Sequence, residues 1–505
     1  MRVADLLVIL IYFAVIPWAV LRLSGKGQSA GGFLSAHHDL PWWAICLSLV
    51  ATETSTLTFI SVPGVGYTGG MVFTGLAGGY LIGRIIVAVW FLPLYASGAM
   101  TSAYQYLGQR FGKRLQRAAS FSFLLTRLMA EGVRLLAGLL PVMWLLGQTG
   151  LPVGRFPVLV IIMAFTLLYT LLGGLRAVVW SDTIQFVIYL SGAAVCAVLL
   201  ATQMTGANWH DVMDEGWLRP FHTLTLANAL SDPFTPLAAL LGGGIMAVAS
   251  HGTDQLMVQR LLAARTLRDA RLALIGSAFL VGLLFTLLSL TGVELRALSG
   301  NASLAAAGVR SSDEIFPRFI VSGLPEGLSG LLVAGVLSAT MGSLSSTLSA
   351  MAGATLTDFG SGPAAMLSAG LRRIGLRPGP LLVPRLVTLF WALALVGTAM
   401  VSGAGAQAAI ILGLTITGWS WGPVLGTFLA GMIWPEADSR DALTGFVISL
   451  AGMGVFMIAL QVFGWHIAFP WLVPLGVVMM LLPARVSMRV RGFQRKARAR
   501  AGTVL

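Results

Sequence analysis

Charge is scarce in this chain. Asp, Glu, Lys and Arg make up 10% of its 505 residues, while 57% are hydrophobic, and the mean hydropathy is +0.86. Soluble domains carry roughly 25% charged residues, so a water-soluble globular class is excluded and the bilayer is the relevant solvent. Cysteine is nearly absent: Cys46 and Cys196 each fall inside an apolar run, which speaks against a disulfide framework. Acidic residues number 19 against 32 basic ones, a net charge of +13. That surplus does not indicate nucleic acid, because the basic residues sit in short loops and at the end of the chain, where membrane topology accounts for them. Also missing are a nucleophile with an adjacent base, a metal-ligand cluster and a phosphate loop, so an enzyme is disfavoured.

What is present is a succession of apolar runs, each long enough for a hydrocarbon core of about 30 Å, with no polar stretch that would make a separate domain. The spans read as 4–22, 42–62, 76–97, 118–147, 155–172, 177–202, 235–263, 268–293, 326–352, 383–403, 405–433, 441–463 and 467–484. The stretch "GKGQSAGGFL" after the first offers no cleavage site, so that span reads as a helix rather than a leader. The expected fold is an all-α integral membrane protein of about thirteen transmembrane helices. Residues 1–484 form one polytopic domain and 485–505 a basic tail, "RVSMRVRGFQRKARAR". The positive-inside rule puts that tail in the cytoplasm and, with an odd number of spans, the N-terminus outside. The location expected is the cell (inner) membrane.

Polar clusters in membrane helices mark candidate sites. The second span reads "WWAICLSLVATETSTLTFISVPG", with Thr52, Glu53, Thr54, Ser55, Thr56 and Thr58 near its middle. The seventh reads "LLGGGIMAVASHGTDQLMVQR", with Ser250, His251, Thr253, Asp254 and Gln255. These spans lie five apart and so run in opposite directions, as equivalent helices of a five-plus-five inverted repeat would. Interrupted helices at matching positions are the best pointer to a transporter's central site. The ninth span puts Ala339, Gly342, Ser343 and Ser346 on one face, an oxygen-bearing surface suited to a hard cation or to helix packing. Counting 1.5 Å per residue, Asp182 lies roughly 8 Å inside the sixth span, and Ser345 and Ser346 lie at a matching depth of about 9–11 Å in the ninth. Ala51 and Thr54 lie deeper, at about 14–18 Å, level with Ala339–Ser343. The fourth span aligns Arg127, Glu131 and Arg134 on one face, either an internal ion-pair triad or a half-neutralised guanidinium surface for a solute carboxylate. Arg84 reads as a pore residue or a partner of Glu53, and His251 as a packing residue or a proton carrier.

Several of these stretches resemble the sodium:solute symporter family. "YTLLGGLRAVVWSDTIQ" and "LPEGLSGLLVAGVLSATMGSLSSTLSA" followed by "TDF" look like its two signatures, and "TSAYQYLGQRFGKRLQR" and "DQLMVQRLLAAR" look like its cytoplasmic loops. The resemblance implies a LeuT-like fold, with repeats at about 42–202 and 235–433, one extra N-terminal helix and two extra C-terminal helices. It implies a main sodium site of Ala51, Thr54, Ala339, Gly342 and Ser343, where Gly342 stands at a position that many members fill with a hydroxyl residue. It also implies a second sodium at Asp182, Ser345 and Ser346, the alternative for Asp182 being an arginine partner. The candidate solute residues are Glu53, Ser55, Thr58, Arg127, Arg134 and Ser250. The family's sugar-contacting pattern is absent at Glu53, Leu57, Thr58, Ala247 and Ser250, which argues against a galactose-like substrate. The expected function is symport of one or two sodium ions with a small polar solute, a carboxylate such as a sialic acid, amino acid or monocarboxylate. The rivals are proton coupling through Glu53, Asp182 or His251, and a non-transporting sensor.

Overall fold

The computed structural model describes residues 3–24, 39–96, 100–147, 154–359, 365, 369, 381–401 and 409–502. The "GKGQSAGGFL" stretch and the start of the predicted 405–433 span lie outside these residues. Among the described residues the chain is helical, its one isolated β-bridge joining Leu40 to Ala264. Each predicted span has a helical counterpart. The main elements are α1 (Val3–Ser24), α2 (Trp42–Glu53), α3 (Thr56–Gly69), α4 (Val72–Ile86), α5 (Tyr104–Phe111), α6 (Lys113–Gly147) and α7 (Arg155–Gln203). After α8 (Gly206–Asp214) follow α9 (Gly243–Gly252), α10 (Gln255–Leu262), α11 (Leu267–Leu298), α12 (Ile315–Ser322) and α13 (Leu328–Asp358). The last four are α14 (Leu382–Val401), α15 (Ala409–Ile433), α16 (Ser439–Phe463) and α17 (Leu472–Gly502). Eight helices among the described residues are long and apolar enough to cross a membrane, nine if the bent pair α2/α3 counts as one span. That number is four short of the thirteen expected: the spans 155–172 and 177–202 are the single helix α7, the seventh span is divided between the short pieces α9 and α10, and α6 and α15 are not among the nine.

Two differences from the sequence reading have clear causes. The predicted spans 155–172 and 177–202 are one run of 49 residues, α7, interrupted at Gly174 with φ 58° and ψ −155°. Only glycine reaches that backbone region without strain, so the connection takes a single residue rather than a loop. The last helix does not stop at 484 but continues through the basic segment to Gly502, whose Lys and Arg are good helix formers.

Helix α13 forms the axis of the bundle. It packs against α7, α6, α1, α14 and both halves of the α2/α3 pair, and 89% of its apolar window is buried inside the protein. A helix buried all round cannot be amphipathic, and its interior Ser, Thr and Gly residues face protein on every side. Helices α4 and α9 meet backbone to backbone: a Cβ on Gly79 would lie 2.1 Å from the Ala239 carbonyl oxygen, and one on Gly83 would lie 2.3 Å from that of Gly244. The glycines of "GGG" thus serve close packing. The seventh span breaks further on, at Thr253–Asp254.

Candidate functional site

The second span breaks between α2 and α3 with a bend of 62°. Its helical ladder ends where the Thr54 amide donates to Val50 O at 2.8 Å, and resumes with Phe59 N to Ser55 O at 3.2 Å. Thr54 (φ −87°, ψ 70°) and Ser55 (φ −70°, ψ −179°) are non-helical. The last carbonyls of α2, including those of Ala51 and Thr54, therefore lack the amide partners that a continuous helix would supply. Side chains bracket the break. Thr56 and Thr340 share a hydroxyl hydrogen bond of 2.7 Å on one side, and Thr52 and Ser346 approach to 3.4 Å on the other. Ser343 lies midway between Thr340 and Ser346 on the same face of α13, so it faces the unwound segment. Its hydroxyl is buried and has no hydrogen-bond partner among the described residues.

Gly342 faces elsewhere. A Cβ there would meet Gln185 Oε1 at 2.7 Å and Asp182 Oδ1 at 3.2 Å, so this position looks onto α7. A side chain there would have to displace the end of the Gln185 carboxamide.

Asp182 sits in a fully buried polar cluster. Its Oδ2 accepts from Ser48 Oγ at 2.7 Å, Ser346 Oγ at 3.1 Å and Thr52 Oγ1 at 3.4 Å, and it pairs with Arg260 Nη2 at 3.2 Å. Ser345 Oγ donates instead to Gly342 O, at 3.0 Å along its own helix. Ser48 and Arg260 were not among the candidates. Ser48 carried a signal, lying one turn before Thr52 on the same helix face; Arg260 carried one only in the "DQLMVQR" stretch.

All six candidate solute residues, Glu53, Ser55, Thr58, Arg127, Arg134 and Ser250, line one cavity, whose wall also includes the aromatic residues Phe73, Tyr80 and Trp421. Its charges are internally matched. Arg84 pairs with Glu53 and donates to Ser277 Oγ at 2.5 Å. His251 Nε2 lies 3.7 Å from Glu53 Oε2, while its Nδ1 shares a 2.8 Å hydrogen bond with Ser250 Oγ. Arg127 Nη2 donates to Asp254 Oδ2 at 2.6 Å, and its Nη1 lies 3.8 Å from Glu131 Oε1. The same Asp254 oxygen accepts from Trp421 Nε1 at 2.6 Å, and its Oδ1 caps α10 through the Leu256 amide. Arg127 is thus held between two carboxylates. Among the described residues Arg134 has only Glu131, through Nη1 at 2.8 Å, and its buried Nε has no partner. Of the two guanidinium groups on this face, Arg134 is the one with donors to spare. Asp254, which makes the difference between them, was noted in the polar run but not assigned as a counter-charge.

Comparison with known proteins agrees with this architecture. The profile of the sodium:solute symporter family matches residues 33–363. The chain is 26% identical to the sodium/iodide cotransporter of Homo sapiens over 454 residues, which cover 88% of this chain and 67% of that protein. It is also 26% identical to the sodium/sialic acid symporter SiaT of Proteus mirabilis over 471 residues, covering 87% and 86%. Among solved structures, a Na+-coupled sialic acid symporter in its substrate-bound outward-open state superposes with a TM-score of 0.80, at 22% identity, over 97% of this chain and 98% of that one. A nucleobase-cation-symport-1 family transporter gives a TM-score of 0.55 at 13% identity, covering 92% and 95%. These relatives are transporters, not enzymes. With an unwound membrane helix, a buried cavity beside it and a family match over well more than half its length, the chain belongs to the sodium:solute symporter family.

Proposed function

We propose that this protein is a secondary active symporter that couples inward sodium flux to uptake of a small polar organic carboxylate by alternating access. The observation that carries the proposal is the Ser343 hydroxyl, buried without a partner opposite the unpaired carbonyls of the broken α2/α3 helix. Carbonyl and hydroxyl oxygens from one unwound and one intact helix are the ligands a hard cation prefers. The main sodium site proposed is Ala51, Thr54, Ala339 and Ser343, without Gly342, which looks onto α7. The solute site proposed is the cavity of Glu53, Ser55, Thr58, Arg127, Arg134 and Ser250, with the spare Arg134 donors taking the carboxylate. The sialic acid symporters among the relatives favour a sugar acid, and amino acids and monocarboxylates share the same group.

The same reading takes the fold as two inverted repeats at about 42–202 and 235–433, in a cell (inner) membrane protein of about thirteen crossings with its N-terminus outside and its C-terminus in the cytoplasm. Breaks at matching points of the two repeats, Thr54–Ser55 and Thr253–Asp254, support it. The test is uptake into proteoliposomes of radiolabelled sialic acids, amino acids and monocarboxylates, with and without an inward sodium gradient. Acceleration by sodium is expected for one carboxylate class. Proton coupling is the second reading, favoured by the Glu53–His251 pair at the cavity wall. Uptake driven by a pH gradient in sodium-free buffer would select it.

A further inference from the structure

The second sodium that the family resemblance implies requires oxygens at Asp182, Ser345 and Ser346, and this chain has already committed them. The Ser345 hydroxyl is bonded to its own helix. The Ser346 hydroxyl accepts from Arg260 Nη2 and donates to Asp182. Position 342 offers no hydroxyl. The carboxylate charge itself is balanced by Arg260, which is fully buried, as Asp182 is. Every nitrogen of that guanidinium is engaged: Nε with Ser48 Oγ at 2.9 Å, Nη1 with Leu256 O at 2.5 Å, and Nη2 with Asp182 and Ser346. A sodium ion added here would bring a second cation to one neutralised carboxylate in a fully buried site. An uncompensated buried charge costs several kcal/mol, so the residues present do not fit a second ion.

We propose that Arg260 is the tethered cation of the Asp182 site: its guanidinium fills the position of a second sodium, and one sodium, at Ser343, serves each transport cycle. The proposal rests on the sodium-symport reading above. It also gives the Asp182 cluster a mechanical role. Arg260 is carried on α10, the inner half of the second broken helix, so the cation that ties α2, α7 and α13 together arrives with a moving helix rather than from solution.

The test is equilibrium binding of ²²Na⁺ to the purified full-length protein, and to the variants Asp182→Asn, Arg260→Gln and Arg260→Lys. One saturable ion per chain is expected in the wild type, in Asp182→Asn and in Arg260→Lys. Arg260→Gln, which leaves the carboxylate without its cation, is expected to bind two. If Arg260→Gln does not fold, the double variant Asp182→Asn/Arg260→Gln, which removes both charges, should fold and bind one ion. Two ions in the wild type falling to one in Asp182→Asn would give the site to sodium and overturn the proposal while leaving sodium coupling intact. Two ions in the wild type that Asp182→Asn leaves unchanged would overturn it as well. A count of one in a folded Arg260→Gln protein would reduce Arg260 to a packing residue. No saturable binding to the wild type would instead sink the sodium-symport reading itself.

Discussion

Ser343→Ala separates binding from folding, because the structure assigns the two effects opposite signs. The hydroxyl is buried and makes no protein hydrogen bond, so the ion-free fold loses nothing when it is removed. An unsatisfied buried polar group costs about 1–3 kcal/mol, and the alanine variant should be at least as stable as the wild type in sodium-free buffer. Sodium loses one oxygen ligand. Interactions between a polar group and a charge contribute about 1.5–3 kcal/mol, which corresponds to a rise in sodium Kd of roughly ten- to a hundredfold. Thermal unfolding in detergent, with and without sodium, reads both effects. At 100 times its Kd an ion adds about 2.7 kcal/mol to stability, whereas the variant, at only about one to ten times its own Kd, should gain about 0.4–1.4 kcal/mol at the same sodium concentration. A variant less stable than the wild type without sodium, yet with the same sodium-induced shift, would refute the argument: Ser343 would then be a packing residue.

The two arginines of α6 should behave differently. Arg127→Gln leaves Asp254 without its cation and should cost about 3–5 kcal/mol of stability, read as loss of folded protein on size-exclusion chromatography. Arg134→Gln should fold but raise the KM for carboxylate uptake at least tenfold, with sodium binding unchanged. Gly174→Ala forces a side chain into φ 58°, ψ −155° and should cost about 1–3 kcal/mol, measured as a lower unfolding temperature with normal sodium affinity. At the start of α16, burial works against the ionised form of Asp438, but the Asp441 and Arg440 amides and the Arg491 guanidinium hold it below the usual carboxylate range. Its contribution to stability is present above its unfolded value of about 3.9 and is lost as pH falls through the lower folded value. Thermal unfolding between pH 5 and 3 should therefore fall more steeply for the wild type than for Asp438→Asn.

Much of the architecture can be read from local pattern. The spans follow from apolar length, and the broken second span follows from six polar residues crowded where a membrane helix tolerates few. The cavity residues follow too, since polar side chains at midplane depth must face one another. What local pattern does not carry is the pairing between distant helices. Nothing near Asp182 in the sequence says whether its counter-charge is an ion or an arginine 78 positions away. Nor does the spacing of Arg127, Glu131 and Arg134 reveal that Asp254 neutralises only the first of the two arginines. Ser343 and Gly342 are neighbours in the chain, yet one turns to the α2/α3 break and the other to α7, a division set by where α7 packs on α13. The triple glycine is a packing surface, because a helix without side chains can approach a neighbour's backbone.

With Arg260 in the place of a second sodium, as proposed, a single ion per cycle limits how steeply the protein can concentrate its solute. A sodium ion entering down 100 mV supplies about 2.3 kcal/mol, and a tenfold sodium gradient adds about 1.4 kcal/mol. One ion per cycle thus lifts a neutral or zwitterionic solute to an accumulation ratio of roughly 500. For a singly charged carboxylate, the cargo's charge cancels that of the ion and the voltage contributes nothing. The ceiling then drops to the sodium gradient itself, about tenfold. A carrier built this way suits a cell that consumes its solute on arrival rather than storing it.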